Sequence, residues 1–221
     1  MLDSALRPKV AGSLDIVASR LARVGVSPTA MTLFGFGVGA GACVAVGFGS
    51  WWLALGLWLT NRIADGLDGP LARSRGATDF GGFLDIVADF AVYGGFVLGV
   101  GIAVPDARVA CAALLVSYYV SGAAFLAWSS IAERRARERP DERSLQFVGG
   151  IAEGTETIVA YVAFCVFHNQ AVLIAWVFTA MVVVTAGQRI SFARRSLTHR
   201  DPPPGGRLDP GETAKGARGA G

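Results

Sequence analysis

Charged residues are scarce in this chain, and their scarcity argues against a water-soluble globule. Only 17% of the 221 residues are Asp, Glu, Lys or Arg, whereas 52% are hydrophobic and the mean hydropathy is +0.47. Soluble domains carry about 25% charged residues. Cysteine is also rare: Cys43, Cys111 and Cys165 lie singly in apolar segments, which excludes a disulfide framework and a cysteine-ligated zinc site. Length and composition together favour a single domain.

Long stretches without a charged side chain predict a membrane protein. A helix that crosses a bilayer needs about 20 mostly apolar residues. The charge-free runs, and the breaks within them at residues 49–50 and 168–170, predict six spans. Their approximate bounds are residues 29–48, 51–71, 81–103, 109–132, 147–167 and 171–192. The predicted fold is therefore all-α, a bundle of six transmembrane helices with short connections.

The two ends of the chain differ from the predicted bundle. Residues 4–23 place apolar side chains at helical spacing with Arg and Lys on the other side, which predicts an amphipathic helix at the membrane interface. Residues 199–221 are rich in Pro, Gly and charge, which predicts a disordered tail. The predicted organisation is a cytoplasmic amphipathic segment over 1–27, a six-helix domain over 28–198 and the tail over 199–221.

Basic residues lie almost entirely at one end of the predicted spans. Nineteen of the twenty Lys and Arg fall at or beyond this end, and only Arg108 lies at the other. Basic residues favour the cytoplasmic side of a membrane. We therefore predict a multi-pass protein of the inner membrane with both termini in the cytoplasm.

Four carboxylates in one stretch are the candidates for chemistry. Asp65 and Asp68 stand three residues apart, and Asp85 and Asp89 stand four apart, so each pair shares a helix face. The short connection between the helices predicts antiparallel neighbours with carboxylates at similar depth. Ionisable groups at membrane depth indicate function, and a divalent cation such as Mg²⁺ relieves the repulsion between clustered carboxylates. A structural ion-pair network or a cation pathway is the other interpretation.

The small and basic neighbours of these carboxylates suit a phosphate ligand. Gly69 and Ala72 leave room for a ligand to approach the helix backbone. Arg73 is a fixed cation suited to phosphate oxygens, whereas Arg62 and Arg75 are interpreted as anchors at the membrane interface. Two cations bridged by shared carboxylates would hold a pyrophosphate and stabilise an in-line displacement at phosphorus.

The aspartates and their neighbours resemble the signature of the CDP-alcohol phosphatidyltransferase family. The matching residues read Asp65-x2-Asp68-Gly69-x2-Ala72-Arg73-x7-Gly81-x3-Asp85-x3-Asp89. The resemblance implies that an alcohol attacks the phosphorus of CDP-diacylglycerol that bears diacylglycerol, which yields a phosphodiester lipid and CMP. It implies two Mg²⁺ or Mn²⁺ ions held by Asp65, Asp68, Asp85 and Asp89, with Asp89 also acting as the general base. It further implies contacts to the CDP moiety from Thr32, Gly69, Ala72, Arg73, Thr78 and Gly81.

The acceptor alcohol is the open part of this interpretation. Phosphatidylglycerophosphate synthase is the leading candidate, because it is the commonest bacterial member of the family that the motif resembles. An inositol phosphate or another polyol is the alternative acceptor. Glu153, Glu156 and Thr157 form a polar face at the cytoplasmic end of the fifth predicted span, and with Arg189 they form a candidate acceptor pocket. The two glutamates equally suit an interfacial cap paired with an arginine.

The remaining expectations concern partners and an alternative function. The resemblance implies a homodimer in contact with membrane lipid, and we expect no nucleic-acid partner. A transporter of metal ions or small solutes is the alternative from a different class, although the acids cluster at one end instead of continuing across the membrane. The glycine string from Gly35 to Gly41 indicates close helix packing, because small residues spaced four apart let helices approach.

Overall fold

The chain folds into a bundle of α-helices. The computed structural model describes residues 2–138 and 154–198, and within these residues it contains seven α-helices and no strand. The helices are α1 Leu2–Arg23, α2 Pro28–Gly47, α3 Trp51–Arg75, α4 Asp79–Ala103, α5 Arg108–Glu138, α6 Gly154–Val166 and α7 Ala171–Thr198. Short 3-10 turns over Pro105–Ala107 and His168–Gln170 precede α5 and α7. The predicted all-α class is confirmed, whereas the predicted tail lies outside the described residues.

Four helical segments are long and apolar enough to cross a bilayer. They are α2, α4, the segment Pro105–Arg135 that contains most of α5, and the segment His168–Thr198 that contains α7. Helix α3 has 25 residues, but the charges of the aspartate motif lower its hydropathy. The described helix α6 has 13 residues. The protein is therefore membrane-embedded, and the count of six spans stays a prediction.

Turn residues set the boundaries of the helices that carry the motif. The hydroxyl of Ser27 caps α2 by accepting the backbone N–H of Ala30 at 3.1 Å. Gly76 ends α3 with a φ of 99°, a left-handed conformation that favours glycine. Thr78 caps α4, because its hydroxyl accepts the backbone N–H of Gly81 at 3.0 Å. The three-residue connection over 76–78 places the end of α3 beside the start of α4.

Helices α3 and α4 both pack on α2. The prediction that α3 and α4 are neighbours with carboxylates at similar depth is confirmed, because oxygens of Asp65, Asp68 and Asp85 lie within 4.8 Å of one another. Helix α2 fits closely against both helices. A Cβ added to Gly35 would lie 3.3 Å from Ala64 of α3, and one added to Gly39 would lie 2.6 Å from Val92 of α4. The prediction that the glycine string serves helix packing is confirmed at these two positions, while Gly37 has nothing within 4 Å.

The N-terminal helix α1 packs on the outer side of α3. Its Ala18 is buried in a small apolar cluster with Leu67 and Leu71 of α3. Arg75 of α3 donates to the carbonyl oxygens of Ala22 at 2.7 Å and Gly25 at 3.5 Å, which lie at the end of α1. Helix α1 is thus fixed alongside the motif helix, and its location at the membrane interface stays a prediction.

Candidate active site

The four predicted aspartates line one cleft. The cleft has a volume of about 240 Å³ and lies between α2, α3 and α4. Asp65 and Asp68 project from α3, and Asp85 and Asp89 project from α4. The other lining residues are Met31, Thr32, Gly35, Phe36, Asn61, Ala88 and Val92. The structure therefore brings together the carboxylates that the sequence predicted to act together.

Depth along the helices divides these aspartates into two layers. At a rise of about 1.5 Å per residue, Asp85 lies about 9 Å and Asp89 about 15 Å from the start of α4. By the same measure, Asp68 lies about 10 Å and Asp65 about 15 Å from the end of α3. Asp68 and Asp85 consequently form an outer layer near the end of α3 and the start of α4, and Asp65 and Asp89 form an inner layer.

Three of the aspartates are grouped as cation ligands would be. Asp65, Asp68 and Asp85 each offer one carboxylate oxygen, and these three oxygens lie within 4.8 Å of one another. Carboxylate oxygens are the donors that Mg²⁺ and Mn²⁺ prefer. Mutual repulsion opposes three carboxylates this close unless positive charge balances them. The donor set therefore fits a divalent cation.

The fourth aspartate is bound to an arginine. Oδ1 of Asp89 accepts a hydrogen bond from Nη2 of Arg62 at 2.9 Å, and Nη1 of Arg62 lies 3.4 Å from Oδ2 of Asp65. The side chain of Arg62 is only 7% exposed, and it lies outside the set of residues that line the cleft. The interpretation of Arg62 as an interface anchor is therefore wrong. Spacing could have found it, because Arg62 precedes Asp65 by one helical turn and so shares its face.

Neighbouring polar groups hold the walls of the cleft in place. The hydroxyl of Thr32 shares its single proton between Oδ2 of Asp68 at 3.3 Å and the backbone carbonyl oxygen of Pro28 at 3.2 Å. Buried Asn61 donates from Nδ2 to the carbonyl oxygen of Gly35 at 2.8 Å. Because Thr32 and Gly35 belong to α2, these bonds tie α2 to the motif helix α3.

An aromatic cluster closes the bundle beyond the inner layer. Trp58, Phe96 and Tyr161 are each 0% exposed. The ring centroid of Tyr161 lies 4.5 Å from that of Trp58 and 4.7 Å from that of Phe96. These three side chains form the aromatic floor below the carboxylates.

The residues predicted to contact the CDP moiety, apart from Thr32, lie beside the cleft at the helix ends. A Cβ added to Gly69 would meet only Nη1 of Arg73, at 3.7 Å, so this side of α3 is open to a ligand. Arg73 is exposed and forms an ion pair with Asp15 of α1 at 3.3 Å. Thr78 and Gly81 form the cap of α4. Ala72, which completes this set, is half-buried on α3.

Among the residues predicted for an acceptor pocket, the three that the structure describes, Glu156, Thr157 and Arg189, do not line the cleft. Arg189 of α7 lines a second cavity of about 260 Å³ with Ala124, Phe125, Trp128 and Phe192. Its Nη1 donates to Oγ of Ser121 at 3.0 Å. Glu156 and Thr157 are half-buried in the first turn of α6, and Glu153 lies outside the described residues.

Fold and cleft together define a membrane-embedded helical protein with a carboxylate site suited to a phosphate-containing substrate. The sequence profile of the CDP-alcohol phosphatidyltransferase family matches residues 25–188. The chain belongs to this family and is an enzyme of that class. Family membership decides between the enzyme and the transporter that the sequence left open.

Two curated relatives cover most of the chain. The inner membrane protein YnjF of Escherichia coli (strain K12) is 36% identical over 193 residues, which span 86% of this chain and 94% of that protein. The phosphatidylinositol phosphate synthase of Mycobacteroides abscessus is 28% identical over 201 residues, which span 87% of this chain and 85% of that protein. Both comparisons extend well beyond the aspartate motif.

Crystal structures of the Mycobacterium tuberculosis phosphatidylinositol phosphate synthase (PgsA1) share the fold. The complex with manganese and citrate gives a TM-score of 0.69 at 22% identity and covers 86% of this chain and 93% of that chain. The structure with CDP-DAG bound gives a TM-score of 0.67 at 21% identity and covers 81% of this chain and 92% of that chain.

Proposed function

We propose that this enzyme transfers the phosphatidyl group of CDP-diacylglycerol to an alcohol and releases CMP. The observation that carries the proposal is the convergence of four carboxylates on one cleft, with oxygens of three of them within 4.8 Å of one another. Family membership supports this chemistry. A solved relative with the same fold binds CDP-DAG, which supports the same donor for this chain.

We infer that the aspartate cleft holds divalent metal. Asp65, Asp68 and Asp85 would be the principal ligands of Mg²⁺ or Mn²⁺, with Asp89 completing a site for two ions. Such ions, when bound, neutralise pyrophosphate charge and stabilise the negative charge that develops during displacement at phosphorus. The manganese complex of the M. tuberculosis relative supports this assignment.

Side chains of the protein would transfer the proton and bind the substrate. Asp89 accepts the proton of the acceptor hydroxyl as the acceptor oxygen bonds to phosphorus and the bond from that phosphorus to the CMP oxygen breaks. Thr32 orients Asp68 through its hydrogen bond. Gly69 and Ala72 let the nucleotide approach α3, and Arg73 exchanges Asp15 for a substrate phosphate. Thr78 and Gly81 present the start of α4 to the same ligand.

An inositol phosphate or a related polyol phosphate is the acceptor that we favour. The names of the M. abscessus and M. tuberculosis relatives specify an inositol phosphate product. Their similarity to this chain supports an inositol phosphate acceptor over the glycerol 3-phosphate of a phosphatidylglycerophosphate synthase. The frequency of phosphatidylglycerophosphate synthases among bacterial enzymes is a weaker argument, because it does not depend on this chain. The acceptor pocket of Glu153, Glu156, Thr157 and Arg189 remains a prediction.

We further infer the arrangement in the membrane. Helices α3 and α6 would cross the bilayer along with the four apolar segments, which makes six spans. An even number of spans places both termini on the same side, the cytoplasm. The enzyme would be a homodimer in the inner membrane. The basic helix ends support this orientation. A tag at either terminus should be accessible only from the cytoplasmic side, and a periplasmic terminus would contradict the six-span arrangement.

Product analysis with purified protein tests the proposed reaction. The protein is incubated with CDP-diacylglycerol, Mg²⁺ and, separately, inositol 1-phosphate, glycerol 3-phosphate, inositol or serine. We expect CMP release and a phosphatidylinositol phosphate product identified by mass spectrometry. EDTA should abolish CMP release, and an excess of Mg²⁺ or Mn²⁺ should restore it. A phosphatidylglycerophosphate product would overturn the acceptor, and activity that survives rigorous chelation would overturn the metal site.

A further inference from the structure

A buried arginine connects the two aspartates of the inner layer. Arg62 is 7% exposed, and its Cζ lies 4.7 Å from the ring centroid of Trp58 and 4.8 Å from that of Tyr93. The charge is thus withdrawn from both water and lipid. Such a burial is unfavourable unless anions compensate the charge. Here the compensating anions are Asp65 and Asp89.

All five donors of this guanidinium have acceptors within the protein. Nε and Nη2 donate to Oδ1 of Asn61 at 2.9 Å and 2.6 Å, and Nη2 also donates to Oδ1 of Asp89 at 2.9 Å. Nη1 donates to Oδ2 of Asp65 at 3.4 Å and to the hydroxyl oxygen of Tyr93. An arginine has five N–H groups. Arg62 therefore has no donor left for a substrate phosphate, which distinguishes it from Arg73.

The same contacts restrain one carboxylate in particular. Oδ1 of Asp89 is held by Arg62, so this carboxylate cannot rotate freely, and its second oxygen is the one that can meet a ligand in the cleft. Asn61 is in turn held by its bond to the carbonyl oxygen of Gly35. A continuous set of hydrogen bonds therefore runs from α2 through α3 to Asp89 on α4.

We propose that Arg62 is a positioning residue that holds Asp89 in the orientation needed to accept the acceptor's proton. The proposal rests on the proposed function, because it takes Asp89 to be the general base. The grouping of the acids supports it: among the described residues, Asp65, Asp68 and Asp85 form the compact set of oxygens, whereas Asp89 lies outside that set. Arg62 therefore holds the one aspartate of the cleft that the compact set of oxygens does not include.

Substitutions of Arg62 test this role when kcat, KM and metal affinity are measured together. Arg62→Met removes the charge at similar length, Arg62→Lys keeps the charge but loses the planar fork, and Arg75→Met is the matched control on the same helix. We expect Arg62→Met to lower kcat about 100-fold or more, within the range for general-base catalysis, and to leave KM for CDP-diacylglycerol within about threefold of wild type. Arg62→Lys should be intermediate, and Arg75→Met should keep kcat within about twofold.

Manganese binding without substrate separates positioning from a loss of fold. The dissociation constant of Mn²⁺ is measured by electron paramagnetic resonance on each purified variant. Removal of a positive charge beside Asp65 should leave Mn²⁺ affinity unchanged or raise it, whereas a collapsed cleft would lower it. A kcat of Arg62→Met within threefold of wild type, or a tenfold weaker Mn²⁺ affinity, would overturn the inference. If wild-type protein binds Mn²⁺ but releases no CMP with any acceptor, the proposed function fails, and the positioning role fails with it.

Discussion

The two sides of the bundle differ in how several of their polar side chains are bonded. In α5 and α7, the hydroxyls of Ser117 and Thr179 donate to a carbonyl oxygen of their own helix, each at 2.7 Å. Around α2, α3 and α4, by contrast, the side chains of Asn61 and Arg62 bond to neighbouring helices. Arg189, which reaches from α7 to α5, shows that the contrast has exceptions.

This contrast indicates where the chemistry lies. A hydroxyl that donates to a carbonyl oxygen of its own helix has its hydrogen bond satisfied without a partner on another helix. Such a bond does not fix the position of one helix relative to another. Polar groups that bond across helices fix relative positions, as a site that must orient several carboxylates requires. On the α2–α4 side, hydrogen bonds between helices therefore fix the geometry that the proposed site needs.

The largest expected effect comes from Asp89, the proposed general base on the α2–α4 side. Asp89→Asn should lower CMP release about 10²- to 10⁴-fold, because the amide cannot accept the proton of the acceptor hydroxyl. Binding of CDP-diacylglycerol, measured by equilibrium dialysis, should change little. Asp79→Asn is the control, because Asp79 is an exposed acid in the first turn of the same helix. Equal activity losses in the two variants would show that charge on α4, and not the cleft, controls turnover.

A smaller effect is expected where α2 approaches its neighbours. Gly39→Ala should destabilise the protein by about 1–3 kcal/mol, because the new Cβ would lie 2.6 Å from Val92 and 2.9 Å from Asn61. Gly37→Ala should be neutral or stabilising, since nothing lies within 4 Å of its Cβ and alanine favours helix. Thermal unfolding in detergent checks both variants. Matching transition temperatures would remove the argument that glycine on α2 serves packing.

The smallest effect is expected when a threonine is replaced by valine, once on the α2–α4 side and once on the α5–α7 side. Thr32→Val removes the hydroxyl that donates to Asp68, which should raise the Mg²⁺ concentration for half-maximal activity about tenfold. Thr179→Val removes a hydroxyl that bonds only to its own helix among the described contacts, and activity should stay within about twofold. Mg²⁺ titrations of the initial rate measure both. A similar shift in the two variants would erase the functional contrast between the sides.

The sequence predicts the all-α class and the meeting of the four aspartates in one cleft. Charge-free runs predicted spans near α2, α3 and α4, and the motif spacing predicted which acids meet. The observed helix ends differ from the ends of the predicted spans, because charged residues indicate where the bilayer ends and a helix can continue beyond it. The predicted span over 51–71, for example, continues as α3 to Arg75. Gly76, with its positive φ, is the actual end.

Other features depend on which helices lie side by side, and a pattern along the chain does not contain that information. Arg62 looked like an anchor because an arginine near the cytoplasmic end of a span usually is one. Its partner Asp89 is 27 residues away and on another helix. Likewise, Arg189 shares the end of the bundle with the aspartates but lines a different cavity, because α7 packs mainly on α5.

The aromatic floor formed by Trp58, Phe96 and Tyr161 has an electrical consequence. These fully buried rings separate the carboxylate layers from the opposite face of the bundle. Under the proposed reaction, the nucleotide, the acceptor and the released proton would all use the same aqueous side. No charge would then cross the transmembrane voltage during turnover. Lipid synthesis by this enzyme should therefore run at the same rate in energised and depolarised cells.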